Sequence, residues 1–344
     1  GGAGWLHEEF HRAVMSRFHV NSFNGMNKWP IGQELVAVNS VTDEDLIRFK
    51  KESPYDFIRL PAAGIEGGYQ LIDKLQRENF FYDQHLSHEV LYFMITINSA
   101  LYVQLSANPD KVDKKVDEMN KIETEISDRD FTGFDFSAWV YDLFKPTQPY
   151  EERGIHPSGN GIDRYIKTTD LTSEELSYLK KQGGLQWLNM ISPMLFLQKS
   201  IKINADFRFN FAVRNYLTSF GNDISLNVFL KMKKRNVILR YHHAKNYHSD
   251  FPAIEAELFE QPFTFLENDF LLSPRIIFGV QPKNQSFFTK EPEFLGYAGC
   301  RVDWALKQVH PWVEMSAKTD GWIAGNEFLN NNFSFKVGLS ARFK

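Results

Sequence analysis

The hydrophobic pattern of the chain changes its period near Ile201, and this change constrains the fold more than any other feature. Before this point, apolar residues recur every three or four positions, as they do on one face of a helix. After it they alternate: in ADFRFNFAVRNYL, one side of the segment carries Phe207, Phe209 and Phe211, and the other side carries the residues between them. We therefore expect an α+β protein in which helices precede an antiparallel β-domain.

The predicted boundary between the two domains lies at residue 200. The capping box that begins at Thr172 and the acidic residues that follow Thr42 are helix start signals in the first part. Pro61 is expected to open a further helix, because proline is favoured in the first helical turn. These signals predict an all-helical domain over 1–200, and the alternating segments predict a β-domain over 201–344.

The β-domain contains about eight alternating segments, the last of which runs from Phe333 to Phe343. Strands of this kind with an aromatic-rich outer face are typical of outer-membrane barrels. The final segment resembles the closing strand of bacterial outer-membrane proteins, which commonly end on an aromatic residue. We therefore predict an antiparallel β-barrel of about eight strands in contact with the lipid of the bacterial outer membrane. The helical domain would then be periplasmic or interfacial, and the protein could belong to a membrane-protein complex.

A soluble antiparallel sandwich or barrel is the alternative, because its strands would alternate equally well. It would show Arg208, Arg240 and Lys336 to water, whereas a membrane barrel would place them in a wet lumen. The period alone does not separate these two arrangements. The aromatic content of 15%, with 31 Phe, and the position of Phe343 favour the membrane form.

Two uncharged stretches, 90–109 and 182–198, approach the length of a membrane-spanning helix. Both contain several polar residues or glycines, and a spanning helix needs about 20 mainly apolar residues. We therefore expect buried or interfacial helices in both places.

Charge and cysteine content exclude several classes of function. The net charge is −4 and the pI is about 6.2, so no basic field indicates a nucleic-acid partner. Cys300 is the single cysteine, which excludes an intrachain disulfide and a zinc site built from cysteines.

The segment WLHEEFHRAVM contains the motif H-E-x-x-H in His7, Glu8 and His11. On a helix, two histidines four residues apart share one face, so both imidazoles can reach one Zn²⁺, with Glu8 beside it as a general base. The motif resembles that of the H-E-x-x-H zinc metallopeptidases, which implies Zn²⁺ as cofactor and Glu8 as the catalytic base. The alternative is a surface helix with a polar face.

Glu66 is the predicted third metal ligand. It lies in RLPAAGIEGGYQL among glycines that each destabilise a helix by about 1 kcal/mol relative to alanine. Close packing against the helix of His7 and His11 would explain them. The arrangement resembles the gluzincin branch, in which a glutamate on a later helix completes the site. The alternative is a glycine-rich packing surface with an incidental carboxylate.

Other polar residues are weaker candidates for a site. A second metal site could use the His-x-x-His pair and the glutamate of DQHLSHEV, and a polar loop could supply donors to an oxyanion. The histidines of YHHAKNYH make a poor metal pair, because alternation places the first two on opposite faces. The residues in these three groups are His85, His88 and Glu89; His156, Arg164 and Tyr165; and His242, His243 and His248.

These observations predict a membrane-associated zinc-dependent hydrolase, in the simplest case a metallopeptidase that acts on envelope proteins or peptides through a zinc-activated water. The alternative is a non-enzymatic outer-membrane scaffold or assembly subunit with a helical domain. A soluble two-domain protein is the third interpretation.

Overall fold

A computed structural model describes residues 2–27, 37–82, 86–233 and 235–341. Phe343, which favoured the membrane form, and His85, a rival ligand, lie outside these ranges. The N-terminal part is helical, as predicted, apart from a short ribbon formed by β1 (Phe23–Asn24) and β2 (Val38–Asn39). The described α-helices are α1 (Gly2–Arg17), α2 (Asp43–Glu52), α3 (Pro54–Phe81), α4 (Leu86–Leu105), α5 (Pro109–Ile122), α6 (Asp135–Phe144) and α7 (Ser173–Leu185).

Helix α3 is the central helix of this part and is buried along most of its length. Its first residue is Pro54, where the missing N–H leaves no hydrogen bond unmade. Pro61, which the sequence suggested as the start, instead lies inside the helix. Glycines allow α1 to approach α3 closely: a Cβ on Gly67 would lie 2.9 Å from the ring of Phe10.

The C-terminal part forms one antiparallel sheet of ten strands, in the order β12-β11-β10-β9-β7-β6-β5-β4-β3, with β8 paired to β9 alone. The strands are β3 (Ile201–Lys202), β4 (Phe207–Thr218), β5 (Gly221–Met232), β6 (Arg235–Lys245), β7 (Asp250–Leu258), β8 (Gln261–Phe265), β9 (Asn268–Pro282), β10 (Pro292–Trp304), β11 (Val309–Lys318) and β12 (Asn332–Ala341).

The predicted closed barrel of about eight strands is wrong. Within the described ranges, β3 and β12 end the sheet and do not pair with each other, so the sheet is open. Protein fills its inner side, where α3 brings Tyr69 to 5.3 Å from the ring of Tyr216. Arg214 donates to the carbonyl of Tyr69 there, at 3.2 Å. This part of the sheet therefore packs its inner face on α3 and does not line a lumen.

Of the four apolar clusters in the described residues, the largest joins the helices to the sheet. It contains Trp139 from α6, Tyr216 from β4 and Trp322 from the loop between β11 and β12. The indole of Trp139 donates to the carbonyl of Thr218 at 3.0 Å. The position of the helices is therefore set by contacts with the sheet.

In the described part of the chain, no single helix is long and apolar enough to cross a membrane. Ser87–Leu105 and Pro109–Ile122 meet that criterion only together, as a pair bent by 85°.

Candidate metal centre

Helix α1 places His7 and His11 side by side, one turn apart on the same face. Their ring centroids are 4.8 Å apart, with the rings nearly perpendicular. The α-helical spacing that the sequence predicted is therefore realised, and both imidazoles face α3.

Asp135, the first residue of α6, supplies a carboxylate to this pair. Its Oδ2 lies 3.1 Å from Nε2 of His7 and 3.7 Å from Nε2 of His11. One ligand atom from each of the three residues lies within 4.8 Å of the other two. Two imidazole nitrogens and a carboxylate oxygen are a ligand set that catalytic zinc sites use.

The charges of the three residues are coupled. Burial would raise the pKa of the Asp135 carboxyl, but His11 and His7 outweigh this effect and hold that pKa well below its usual range. Burial would lower the pKa of His11, whereas Asp135 raises it to about 9. Burial dominates at His7 and lowers its pKa. Without a cation, the cluster is therefore held together by protonated His11 and ionised Asp135.

The backbone of α3 orients His11. Nδ1 of His11 lies 2.7 Å from the carbonyl oxygen of Leu60, and because a carbonyl oxygen only accepts, Nδ1 is the donor. This hydrogen bond leaves Nε2 directed at Asp135 as the atom available to a metal. A backbone carbonyl that fixes the tautomer in this way is a common outer-shell feature of metal-binding histidines.

Gly64 of α3 provides the space for the two rings. A Cβ at this position would lie less than 3.0 Å from Nε2 of both His7 and His11, closer than side-chain atoms approach each other. The glycines of α3 thus accommodate α1 and its histidines.

Tyr102 of α4 holds the carboxylate from another side. Its hydroxyl donates to Oδ2 of Asp135 at 2.9 Å, and its ring centroid is 6.0 Å from that of His7. Four helices, α1, α3, α4 and α6, therefore converge on this cluster.

Glu8, the predicted base, lies on α1 with the two histidines. It is buried, with only 2% of its surface exposed. Its Oε1 has no hydrogen-bond partner among the described residues. Burial raises the pKa of this carboxyl to about 8, against the opposing effect of His11, with Asp130 and Asp135 adding to the rise. Glu8 is therefore a proton-holding group at neutral pH, next to the cluster and free of structural contacts through Oε1.

The structure places Glu66, the predicted third ligand, in a different network. Its carboxylate accepts hydrogen bonds from Arg59 at 2.9 and 3.0 Å, from the indole of Trp322 at 3.2 Å and from the backbone of Gly325 at 2.7 Å. Glu66 thus fastens the β11–β12 loop to α3, and the carboxylate brought to His7 and His11 is that of Asp135.

Sequence reasoning did not single out Asp135. The signal available was an acidic residue in GFDFSAW, at the start of a short helix whose other residues are almost all apolar. A carboxylate in such company needs a partner when buried. Only the packing of α1 and α6 on α3 brings this carboxylate to His7 and His11.

The other candidate residues lie in separate contacts. His88 is 3.6 Å from Glu78, and Glu89 is 3.6 Å from Lys199. The polar-loop residues have structural partners: His156 with Asn120 and Ser158, Arg164 with Asp43, and Tyr165 with Glu123. His242 contacts Asp223, His243 contacts Asp250, and His248 packs on Tyr247.

No protein-family model, curated protein or solved structure matches this chain. The resemblance to the H-E-x-x-H metallopeptidases therefore stays a prediction.

Proposed function

We propose that this protein is a zinc-dependent hydrolase whose metal is bound by His7, His11 and Asp135. The observation that carries the proposal is the convergence of the three ligand atoms within 4.8 Å of one another, beside the unpartnered Oε1 of Glu8.

The spacing of the ligand atoms fits zinc. Zinc–nitrogen and zinc–oxygen bonds of about 2.0–2.2 Å in a tetrahedron separate neighbouring ligand atoms by about 3.3 Å. The distances from Oδ2 of Asp135 are 3.1 Å to His7 and 3.7 Å to His11. Small side-chain adjustments would therefore seat the ion.

Zinc bound there would polarise a carbonyl group and lower the pKa of a water molecule to about 7. The residues of the chain supply the rest. A cation at the cluster would lower the pKa of Glu8, and the ionised carboxylate would then take up the proton that the attacking water loses, with Oε1 free of a competing hydrogen bond. The carbonyl of Leu60 keeps His11 in place, and Tyr102 keeps Asp135 in place.

A peptide bond in an envelope protein or peptide is the proposed substrate. Support for this choice comes from the motif of His7, Glu8 and His11 and its resemblance to metallopeptidases.

A structural zinc in a non-enzymatic scaffold is the second candidate, and the enclosure of the cluster favours it. The side chains of His11 and Asp135 are 1% and 6% exposed, and that of His7 is 18% exposed. Structural zinc sites are closed to solvent, whereas catalytic sites keep one position open for water.

Metal analysis of the purified full chain tests both candidates. We expect about one zinc per chain after exposure to equimolar zinc, and loss of that zinc in His11→Ala and Asp135→Ala. Glu66→Gln is the matched control, because it alters a buried glutamate of α3 outside the cluster and should keep its zinc. A wild-type chain that takes up no zinc contradicts both candidates.

Glu8→Gln then separates the two. For the hydrolase, the variant keeps its zinc and loses chelator-sensitive cleavage of a denatured protein substrate. For the structural site, the wild type and the variant both bind zinc, and neither cleaves the substrate.

A further inference from the structure

The side of the sheet turned away from α3, here called the outer face, is apolar and exposed. Residues from four strands illustrate it, each 50–65% exposed: Ile254, Ile276, Phe278, Met315, Phe335 and Val337. Soluble monomers rarely expose continuous apolar patches beyond a few hundred Å². Seven strands follow one another in the sheet from β5 to β12, because β8 lies outside this row. They span roughly 800 Å² in projection, at about 4.8 Å between strands and 27 Å along them.

The inner face carries the charges. The register of β6 and β7 pairs Arg240 with Glu255 on the inner face and Tyr241 with Ile254 on the outer face. Arg240 and Arg275 both form ion pairs with Glu255. A sheet in water hides its apolar side and shows its polar side, so the polarity of this sheet is inverted.

The apolar band has the height of a hydrocarbon layer. In β12, the outward positions run from Phe333 to Ala341 without a charged residue, a distance of about 27 Å at 3.4 Å per residue. The apolar band of membrane strands is about 25 Å tall. Charged side chains stand at one end of β6 and β7, where Asp250 lies 3.1 Å from His243 and 2.8 Å from Lys245.

We propose that the outer face contacts the hydrocarbon of a lipid bilayer. This inference is independent of the zinc site. A second copy of the chain is the alternative partner for the outer face. Protein interfaces, however, carry about one hydrogen bond per 100–200 Å², which requires polar side chains on the face. Away from its margins, the outer face offers few hydrogen-bonding side chains, the hydroxyl of Tyr241 among them.

The two edges of the sheet differ in how far their backbone groups are hydrogen-bonded, and this difference is important in a bilayer. The segment before β4 covers that strand's edge: Val213 donates to the carbonyl of Ile191 at 2.9 Å, and the backbone of Asn215 donates to Asn189 at 2.8 Å. Within the described ranges, β12 has a neighbour on one side alone. Hydrocarbon satisfies no backbone groups, so the lipid-bound form requires a partner strand beside β12.

A nitroxide scan along β12 tests the proposal. In a Cys300→Ser background, single substitutions from Phe333→Cys to Ala341→Cys are labelled in the full chain, which is then reconstituted with phosphatidylcholine vesicles. We expect accessibility to oxygen to peak at the odd positions and accessibility to an aqueous nickel chelate to be lowest there. Peaks of chelate accessibility at the odd positions would overturn the proposal. Protection of these positions from both reagents would show that protein covers the face instead.

Flotation with the same neutral vesicles provides the second test. Phe278→Asp places a charge on an exposed part of the outer face, where it does not disturb the core. We expect this variant to float with vesicles several-fold less than the wild type. Asn160→Asp, which adds the same charge to an exposed loop of the helical part, should float normally. Equal flotation of all three proteins, or no flotation of the wild type, would contradict the proposal.

Discussion

Two largely buried groups of charged residues differ in how completely their charges are matched. One is the cluster of His7, His11 and Asp135, and the other is the inner-face network of Arg240, Glu255 and Arg275. In the network, both oxygens of Glu255 accept hydrogen bonds from arginine, and Arg240 also reaches Asp73 at 3.1 Å. In the cluster, two imidazole nitrogens converge on one carboxylate oxygen. The network therefore pairs both oxygens of Glu255, whereas in the cluster a metal ion could replace the proton that His11 shares with Asp135.

This difference distinguishes charged residues that stabilise the fold from charged residues that are candidates for a function. Buried ions are retained when they are paired and hydrogen-bonded, and the network meets that condition. Titratable groups whose pKa is strongly shifted by burial and by charged neighbours are candidates for function. The cluster meets the second condition through Glu8, whose pKa is raised to about 8 by burial.

The largest expected effect comes from breaking the network. Glu255→Gln would leave the buried Arg240 and the partly exposed Arg275 without their shared counter-charge, and removing one partner of a buried pair costs about 3–5 kcal/mol. Urea unfolding should show this loss in the free energy of unfolding. Glu125→Gln, at an exposed glutamate, is the control and should change stability by less than about 0.5 kcal/mol. A small effect at Glu255 would mean that the network does not carry structural charge.

The next effect is a pH dependence carried by His242. Burial lowers the pKa of this imidazole, but Asp223 on β5 and Glu255 on β7 raise it to about 9, above the value of about 6.5 in an unfolded chain. The folded state therefore binds the proton more tightly. The stabilisation is complete below about pH 6.5 and disappears as the pH rises through about 9, a loss of up to about 3 kcal/mol.

Unfolding free energies measured at about pH 6 and about pH 10 check this expectation, since these values bracket the shift. In His242→Gln, the difference between the two pH values should shrink by the same amount. If wild type and variant change equally with pH, His242 is not the group responsible.

Zinc binding at the cluster should raise the free energy of unfolding of the protein by a similar amount. A ligand that binds only the folded state at 100 times its dissociation constant raises the unfolding free energy by about 2.7 kcal/mol. Asp135→Asn should abolish this increase, and Glu66→Gln should preserve it. An increase that survives in Asp135→Asn would place the metal elsewhere.

The smallest effect compares two glycines of the same helix. A methyl group at Gly64 would meet the rings of His7 and His11, whereas one at Gly68 would have its nearest neighbours, in Ile95 and Ser99, at 3.6 Å. Gly64→Ala should lower stability by about 1–3 kcal/mol through overpacking and should weaken zinc uptake. Gly68→Ala should raise stability by up to about 1 kcal/mol and leave zinc binding unchanged. Equal behaviour of the two variants would contradict the close approach at Gly64.

Features of the site that depend on residues close together in the sequence could be predicted, and features that depend on distant residues could not. His7 and His11 lie on one helix, so their shared face follows from the helical repeat alone. Glu66 drew attention through its glycines, and those glycines do accommodate α1. The helix turns by about 100° per residue, so Glu66 and Gly64, two positions apart, face different neighbours. The choice between Glu66 and Asp135 depended on that rotation and on the packing of α6.

The switch from helices to strands near Ile201, and the alternation that separates apolar from charged positions, could be read directly from the amino-acid order. Both are local properties, set by backbone repeats of 3.6 and 2 residues. The tertiary structure alone decided that the sheet stays open and that Asp135 joins the two histidines. Closure depends on what packs on the inner side of the sheet, and here α3 packs on the strands from β4 to β7. The third ligand depends on a contact between residues 128 positions apart, which no local pattern encodes.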